Sequence, residues 1–176
     1  MTIIITAVGA DRPGMVAALS LILADQQCNL EDCAMTRLGG QFAMILMVHL
    51  PADKTLTQIE PLFGELEYSH GLKVHCDEAE VLMAENEPSA PRHMLTVYAE
   101  DRPGLLSTIS QILAENKVNI TDVQTRLAAA GALYVMLFEV EISVAINAED
   151  LEKTLQQAAQ SAGMTLMLRA MDEDVL

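Results

Sequence analysis

The sequence predicts an α+β fold in which two similar units follow one another, each an antiparallel sheet with helices on one face. Three observations predict this architecture. The tetrapeptide at 11–14, Asp-Arg-Pro-Gly, recurs at 101–104, and further residues recur at the same offset. Short apolar runs typical of strands alternate along the chain with segments in which apolar residues have the spacing of an amphipathic helix. Glycine and asparagine stand between these segments, where turns need them.

The repeat defines the domain organisation. Residues 82–92 contain Pro88 and Pro91 among polar residues, which is the composition of a linker. We therefore predict a first domain at 1–81, a linker at 82–92, a second domain at 93–170 and an acidic tail at 171–176. Further matching pairs are Ser20 and Ser110, Asn29 and Asn119, Asp32 and Asp122, and, at an offset one residue shorter, Thr36-Arg37-Leu38 and Thr125-Arg126-Leu127.

Each unit is predicted to have the element order βαββαβ. Strands are assigned to short apolar runs bounded by turn residues, with hairpin turns at Gly39-Gly40 and Gly131. The predicted strands are 2–8, 30–38, 41–50 and 73–78 in the first unit, and 93–99, 120–128, 132–142 and 164–169 in the second.

The first helix of each unit is predicted to begin at the repeated tetrapeptide. Pro13 and Pro103 suit the first helical turn, because the N–H that proline lacks would be unpaired there. Asp11 and Asp101 lie near the positive end of the helix dipole. The apolar residues at helical spacing are Val16, Leu19, Ile22 and Leu23 in the first unit, and Leu106, Ile109, Ile112 and Leu113 in the second.

The second helix of each unit follows the hairpin. Asn147 predicts an N-cap, and Gly71 and Gly163 predict the C-terminal ends. Pro61 predicts either a kink or a helix that starts later than Thr55. The apolar stripes are Leu56, Ile59, Phe63 and Leu66 in the first unit, and Leu151, Leu155, Ala158 and Ala162 in the second.

The third strands predict contact with a second sheet. Residues 42–48 and 133–138 are apolar at every position instead of alternating with polar residues. We therefore expect both faces of these strands to be buried, one by helices and the other by a sheet of the sister unit or of another chain. A homo-oligomer or a closely packed pseudo-dimer follows from this expectation.

Charge and composition exclude several classes of partner. The net charge is −15, from 25 acidic and 10 basic residues, and the basic residues are scattered. Direct binding of nucleic acid needs clustered lysine and arginine, so we predict none. No apolar run reaches the length of about 18 residues that a membrane helix needs. The N-terminus lacks the basic leader of a signal peptide, and we expect a cytoplasmic protein without a membrane partner.

The sequence contains no pattern typical of catalysis. The four histidines are scattered, whereas a metal site needs converging ligands. Cys28, Cys33 and Cys76 lack paired spacing and are interpreted as free thiols. Neither a glycine-rich phosphate loop nor a nucleophile elbow is present. We predict no enzymatic activity, no metal and no cofactor.

The repeated turn, the asparagine at the start of the second strand and the βαββαβ order resemble the ACT domain. This family of small-molecule-sensing modules usually binds amino acids. Residues 5–16 and 28–32 are similar in particular to the glycine cleavage system transcriptional repressors, which consist of two ACT domains in tandem. The resemblance covers nearly the whole chain and implies a ferredoxin-like fold for both units.

A turn of this kind can bind an amino acid. The first N–H groups of a helix have no internal partner and can bind a carboxylate. Asp11 can accept from the ammonium group, and the amide of Asn29 can donate and accept. The resemblance adds that ACT ligands lie where two domains pair, between this turn and the second strand. The candidate ligand-binding residues are Asp11, Gly14, Met15 and Asn29, with Asp101, Gly104, Leu105 and Asn119 in the second unit.

Each candidate also has a purely structural explanation. Aspartate before proline is a common helix cap, glycine allows tight packing, and asparagine suits a left-handed turn. The ligand hypothesis rests on the joint recurrence of these residues. Arg12 and Arg102 are expected to be solvated or paired locally, with contact to a ligand carboxylate as the alternative. Both copies keep the motif, so the sequence leaves open which one is occupied.

The resemblance implies a non-catalytic regulator that senses a small amino acid, with glycine as the candidate. Such a protein restrains transcription through a protein partner, a DNA-binding transcriptional activator, which agrees with the acidic charge. The alternative is a free-standing regulatory subunit that docks on a metabolic enzyme. A third hypothesis, an enzyme related to the ACT-bearing formyltetrahydrofolate deformylases, requires a catalytic domain that the sequence does not contain.

Overall fold

The computed structural model of the protein describes residues 1–79, 90–128 and 133–171. The chain divides into two compact units, Met1–Ala84 and Glu85–Leu176. Each unit has a four-stranded antiparallel sheet with helices, and the α+β fold of two βαββαβ units is confirmed. Most of the expected linker and acidic tail, and the turn at Gly131, lie outside the described residues.

The first unit has sheet order β2-β3-β1-β4, so β1 and β3 are central and β2 and β4 are edges. Gly39 and Gly40, with φ of 58° and 78°, form the hairpin turn between β2 and β3. Both residues adopt the positive φ that a two-residue hairpin turn requires. The elements are β1 (Thr2–Ala10), α1 (Met15–Asp25), β2 (Asn29–Leu38), β3 (Gln41–His49), α2 (Leu56–Ile59), a 3-10 turn (Glu60–Phe63), α3 (Gly64–His70) and β4 (Leu72–Glu78).

The second unit repeats this arrangement with sheet order β6-β7-β5-β8. A β-bulge interrupts the second strand at matching places in the two units, after Leu30 and after Ile120. The elements are β5 (Arg92–Ala99), α4 (Leu105–Glu115), β6 (Asn119–Ala128), β7 (Leu133–Glu141), α5 (Ala148–Ser161) and β8 (Met164–Ala170).

The core of each unit lies between its sheet and its helices. In the first unit, alternate residues of the central strands face α1, and Ile5, Leu46 and Leu19 are almost fully buried together. In the second unit Val97 and Phe138 occupy the corresponding interior. Burial of one such side chain contributes about 1.5–3 kcal/mol, so these apolar stripes are the main source of stability in each unit.

The second helix of the first unit is broken at Pro61. The helix α2 begins after Thr55, whose capping box with Gln58 satisfies the first turn. Proline then falls at the start of the 3-10 turn, where its missing N–H is tolerated, and α3 continues to His70. Of the two predicted alternatives the structure has the first: the helical segment starts directly after Thr55 and is interrupted at Pro61.

In the second unit α5 is continuous, and Asn147 caps it as predicted. Its side-chain oxygen accepts from the N–H groups of Glu149 and Asp150 at 2.9 and 3.3 Å. The predicted stripe is corrected at one position, because Ala159 is buried and Ala158 is only half-buried. The apolar stripe of α5 thus follows a spacing of four residues from Leu151 through Leu155.

The outer face of β3 is not covered by the elements of its own unit. Within the first unit only one face of this strand is buried, and Ile45 and Met47 on the other face are 52% and 39% exposed. Residues 42–48 are apolar throughout, yet their burial alternates because helices cover one face of the sheet. Covering of the outer face by a second sheet stays a prediction.

Candidate functional site

The turn between β1 and α1 has a defined backbone geometry. The N–H of Asp11 donates to the carbonyl of Gly40 at 2.9 Å, which joins the turn to the tip of the β2–β3 hairpin. Gly14 caps α1 with φ of 96°, a conformation that a residue with a Cβ adopts only with strain. The intrahelical bonds of α1 begin with the N–H of Ala18, which donates to the carbonyl of Gly14 at 2.8 Å. The N–H groups before it form the unpaired first turn of the helix.

The second unit repeats this geometry closely. Gly104 has φ of 93°, and the N–H of Thr108 donates to its carbonyl at 3.0 Å. Met15 and Leu105, the residues after the two glycines, are only 1% and 3% exposed. Their side chains belong to the cores, so only their backbone N–H groups are suited to contact a ligand.

A hollow of about 550 Å³ opens at the turn of the first unit. We call it the corner hollow; residues 11–17 and Ser20 line one side of it, and Met35, Arg37 and Phe42 line the other. The Nε of Arg37 lies 3.1 Å from Oδ2 of Asp11, and these side chains are 67% and 29% exposed. The corner hollow therefore combines a guanidinium group, a carboxylate and the N-terminal end of a helix.

These groups match the charges of an amino-acid zwitterion. A guanidinium group and a helix N-terminus both favour a carboxylate, because arginine donates in a fork geometry and the helix end carries partial positive charge. A carboxylate such as that of Asp11 accepts from an ammonium group. The arrangement can bind and orient an amino acid.

Arg37 was missed as a candidate residue, although its repeated neighbours were a signal. The motif Thr-Arg-Leu occurs in both units, but its second copy lies one residue closer to the start of its strand. In β2, Arg37 pairs with Phe42, which faces the helices, whereas Arg126 in β6 pairs with Val135 on the opposite face. A shift of one residue along a strand moves a side chain to the other face of the sheet. The position that corresponds to Arg37 is therefore occupied by Leu127 in the second unit.

The electrostatics of the two corners differ as a result. In the first unit Asp11 has an arginine partner on the helical side of the sheet. In the part of the chain that the structure describes, Asp101 has no basic partner within 4.0 Å. Among the described residues, an arginine side chain is thus paired with the aspartate of the turn in the first unit only.

Asn29 and Asn119 lie far from the turns of their own units. Asn29 and Thr2 both pair with His49, at one end of the sheet, whereas the turn follows Ala10 at the other end. The strand between them is about 25 Å long at the usual rise per residue. Within one unit the structure therefore does not bring the asparagine and the turn into one pocket.

The surroundings of the two asparagines also differ. The Nδ2 of Asn119 donates to Oε2 of Glu141 at 3.2 Å, so part of its hydrogen-bonding capacity is used. His49 stands opposite Asn29, with its Nδ1 3.3 Å from Oγ1 of Thr2 and 3.6 Å from Oε1 of Glu31. The side chain that stands opposite the asparagine is thus the carboxylate of Glu141 in the second unit and the imidazole of His49 in the first.

The cysteines are free thiols in different environments. Cys76 is buried in β4, and burial, with smaller contributions from Glu60 and Asp77, raises its pKa to about 11. Burial also raises the pKa of Cys28, against the effect of Lys54. Cys33 is exposed on β2, the opposite edge of the sheet from β4, so no disulfide with Cys76 can form in this fold.

The thiols are expected to differ in reactivity. In native protein at pH 8, Ellman's reagent should modify Cys33 first, because thiolate and access are both required. Cys76 should react only after unfolding, and the Cys33→Ser variant should lose the fast phase. A fast phase that persists in Cys33→Ser would contradict the assignment of this phase to Cys33.

The stability of the fold should depend on the ionisation of Cys76. Since the folded pKa of Cys76 lies above its ordinary value of 9.0, the unfolded chain releases this proton first, and stability should fall as the pH rises from about 9 towards 11.

Metal ligands and membrane-spanning segments can be compared with the described part of the chain. The described residues contain no cluster of three or more histidine, cysteine, aspartate or glutamate side chains placed to hold a metal ion. Among the helices that the structure describes, none has the length and hydropathy needed to cross a bilayer.

Comparison with known families identifies the repeated unit. One ACT-domain model matches residues 1–77, and a second matches residues 93–163. The chain belongs to the ACT-domain family. This confirms the resemblance inferred from the repeated turn and the order of elements.

The curated relatives include the glycine cleavage system transcriptional repressor of Escherichia coli strain K12. It is 29% identical over 133 residues, which cover 73% of this chain and 66% of that protein. A UPF0237 protein of Methanopyrus kandleri is 47% identical over 47 residues, or 27% of this chain and 52% of that protein. The matches thus span about half to two thirds of the length of these relatives.

Solved structures share the whole two-domain chain. A protein from Galdieria sulphuraria is 25% identical, with a TM-score of 0.80 and coverage of 97% of this chain and 98% of that one. A structure described as a candidate glycine cleavage system transcriptional repressor has a TM-score of 0.77 at 17% identity, and covers 97% and 96% of the two chains. The second likeness concerns the fold alone. The protein is a tandem ACT-domain protein related to the Escherichia coli repressor.

Proposed function

We propose that this ACT-domain protein is a non-catalytic regulator that senses a small amino acid, with glycine the first candidate. The observation that carries the proposal is the corner hollow, where Arg37, Asp11 and the start of α1 surround about 550 Å³. A zwitterion presents one group for each of these partners. The usual binding of amino acids by ACT domains supports the same chemistry.

The ligand is oriented by its two charges. Its carboxylate accepts from the guanidinium group of Arg37 and from the N–H groups of the first turn of α1. Its ammonium group donates to Asp11, and the absence of a side chain at Gly14 allows close approach to the backbone. The apolar side chains of Met35 and Phe42 line the remaining wall, so a small or apolar side chain is favoured.

The occupied site is in the first unit. Leu127 stands where an arginine would be required in the second unit, and Asp101 lacks a basic partner among the described residues. A carboxylate at the second corner would meet the helix end without a counterpart of Arg37. One amino acid per chain is therefore expected.

The regulatory output passes through a protein partner and not through DNA. A net charge of −15 disfavours contact with a polyanion. The related Escherichia coli protein is named as a transcriptional repressor, which supports a role in transcription. In this proposal the protein partner is a DNA-binding transcriptional activator. The alternative partner is a metabolic enzyme on which the protein docks as a regulatory subunit.

Calorimetric titration with the twenty amino acids tests the ligand. We expect a small amino acid to bind with a stoichiometry of one per chain, and duplex DNA to show no binding at low salt. Absence of heat across the whole panel would overturn the sensor proposal. A stoichiometry of two would contradict the assignment to the first unit while keeping the sensor.

Two further measurements separate the candidate functions. Deletion of the gene should raise transcription of glycine cleavage genes if the protein is a repressor, and should leave it unchanged if the protein regulates a metabolic enzyme. Hydrolysis of formyltetrahydrofolate by the pure protein would contradict the absence of catalysis.

A further inference from the structure

The helical side of the first unit exposes an apolar surface. Helix α1, with the sequence MVAALSLILAD, is apolar on nearly all sides, yet Leu21 on its outer side is 62% exposed. A helix that is apolar all round is normally covered by protein. The 3-10 turn beside it exposes Leu62 at 38%. These two leucines lie on a different side of α1 from the corner hollow.

A hollow of about 530 Å³ runs between α1 and the segment that follows Pro61. We call it the helix groove. Its apolar lining includes Leu21, Ile22, Leu62 and Leu66, and it also contains the carboxylate residues Asp25 and Glu65. Neither carboxylate has a basic partner within 4.0 Å among the residues described. The groove is thus apolar with two carboxylates that form no ion pair, although its lining also includes His70, and Nζ of Lys54 donates to Oε1 of the lining residue Gln26 at 3.1 Å.

The second unit carries polar residues at the same positions. Gln111 replaces Leu21 at the offset of 90 residues that relates α4 to α1. In the second helix the offset is 92, since buried Ile59 and Leu151 correspond, and Thr154 then replaces Leu62. By the same offset Gln157 replaces Glu65. The same fold is therefore stable with a polar outer face, so the fold does not require the exposed leucines of the first unit.

We propose that the helix groove binds a segment of a partner protein that presents aliphatic side chains flanked by lysine or arginine. The exposed leucines supply the apolar contact, and Asp25 and Glu65 supply the charge that selects basic flanks. The proposal adds a docking surface to the regulatory role proposed above, and it does not depend on amino-acid binding.

Charge complementarity selects this occupant over a second copy of the chain. The protein has 25 acidic and 10 basic residues, so a copy would bring further negative charge towards Asp25 and Glu65. Repulsion between like charges at an interface disfavours such pairing. A basic partner segment gains both apolar burial and neutralisation of charge.

Binding of a labelled peptide tests the proposal. The probe is a short amphipathic peptide with a stripe of leucines and flanking lysines; the control peptide keeps the leucines and replaces the lysines with glutamates. Fluorescence anisotropy measures affinity, and amide chemical shifts locate the site. We expect the lysine peptide to bind and to shift α1 and α3, and the glutamate peptide to bind at least tenfold more weakly.

The decisive variant combines Leu21→Gln with Leu62→Thr, the residues that the second unit carries at these positions. It should weaken peptide binding about tenfold or more, as expected for removal of central apolar anchors. Asp25→Asn with Glu65→Gln should weaken binding and reduce its dependence on salt. The matched control Gln111→Ala with Thr154→Ala should leave the affinity unchanged. Because these positions are exposed, the fold should be retained, and circular dichroism checks this.

Three outcomes would overturn the proposal: no binding of the lysine peptide, equal binding of both peptides, or unchanged affinity in Leu21→Gln with Leu62→Thr. Sedimentation that shows self-association abolished by the same variant would make a second copy the occupant. Calorimetry with amino acids separates the docking proposal from the sensor proposal. The variant Leu21→Gln with Leu62→Thr should still bind the amino acid. If no amino acid binds the protein, the lysine peptide should still bind the helix groove.

Discussion

Replacement of Arg37 by alanine is expected to weaken amino-acid binding by about ten- to a hundredfold. The guanidinium group of Arg37 is the charged donor that the structure places beside Asp11 in the corner hollow, and a hydrogen bond to a charged group contributes about 1.5–3 kcal/mol. That range corresponds to the stated loss of affinity. Calorimetric titration with the tightest-binding amino acid measures it. Arg37 is largely exposed, so the fold should be retained.

The second unit offers a matched control for this prediction. Arg126 belongs to the same Thr-Arg-Leu motif but lies on the other face of its sheet, so Arg126→Ala should leave the affinity unchanged. Leu127→Arg places a guanidinium group at the position that corresponds to Arg37, and should add a second, weaker binding event. Equal losses in Arg37→Ala and Arg126→Ala would contradict the assignment of the site to the corner hollow.

Replacement of Gly9 by alanine is expected to destabilise the first unit by about 2–3 kcal/mol, in the range of overpacking effects. A Cβ added at Gly9 would lie 2.5 Å from the carbonyl oxygen of Gly71 and 3.1 Å from Cε of Met15. The methionine can move, but the carbonyl belongs to the backbone that ends α3. Either β1 or this backbone must shift. Urea denaturation measured by circular dichroism should show a lower midpoint for the transition of the first unit.

Ala99, which follows Gly9 by 90 residues, is the control for this effect. It is buried at 5% exposure, so the second unit accommodates a Cβ at the equivalent position. Ala99→Gly should lower the stability of the second unit by only about 1 kcal/mol, through loss of packing and gain of chain entropy. An unchanged midpoint in Gly9→Ala would show that the α3–β4 junction relaxes at little cost.

The sequence predicted the elements well where the signal is local. The turn at 11–14, the hairpin at Gly39-Gly40 and the cap at Asn147 depend on residues close together in the chain, and the structure has all three. The second helix of the first unit was harder to predict. Pro61 left two alternatives open, and the structure shows that a 3-10 turn joins two helical pieces there, with Ile59 and Phe63 buried in the core.

The candidate site was predicted only in part. Asp11 and Gly14 carry a repeated motif, and the structure places both at the corner hollow. Asn29 is repeated equally well, but β2 runs so that it begins at the end of the sheet far from the turn. Arg37 was not chosen from the sequence, although the motif around it recurs in the second unit. Its contact with Asp11 joins residues 26 positions apart, across strand β3.

By itself the sequence determined that the protein is a duplicated α+β chain of the ACT-domain family, because turn chemistry and apolar periodicity are local and occur twice. Only the tertiary structure decided that the two copies are not equivalent. Side chains alternate between the faces of a strand, so a difference of one residue places Arg37 beside Asp11 and turns Arg126 to the other face. Strand pairing sets that register, and pairing is a property of the folded sheet.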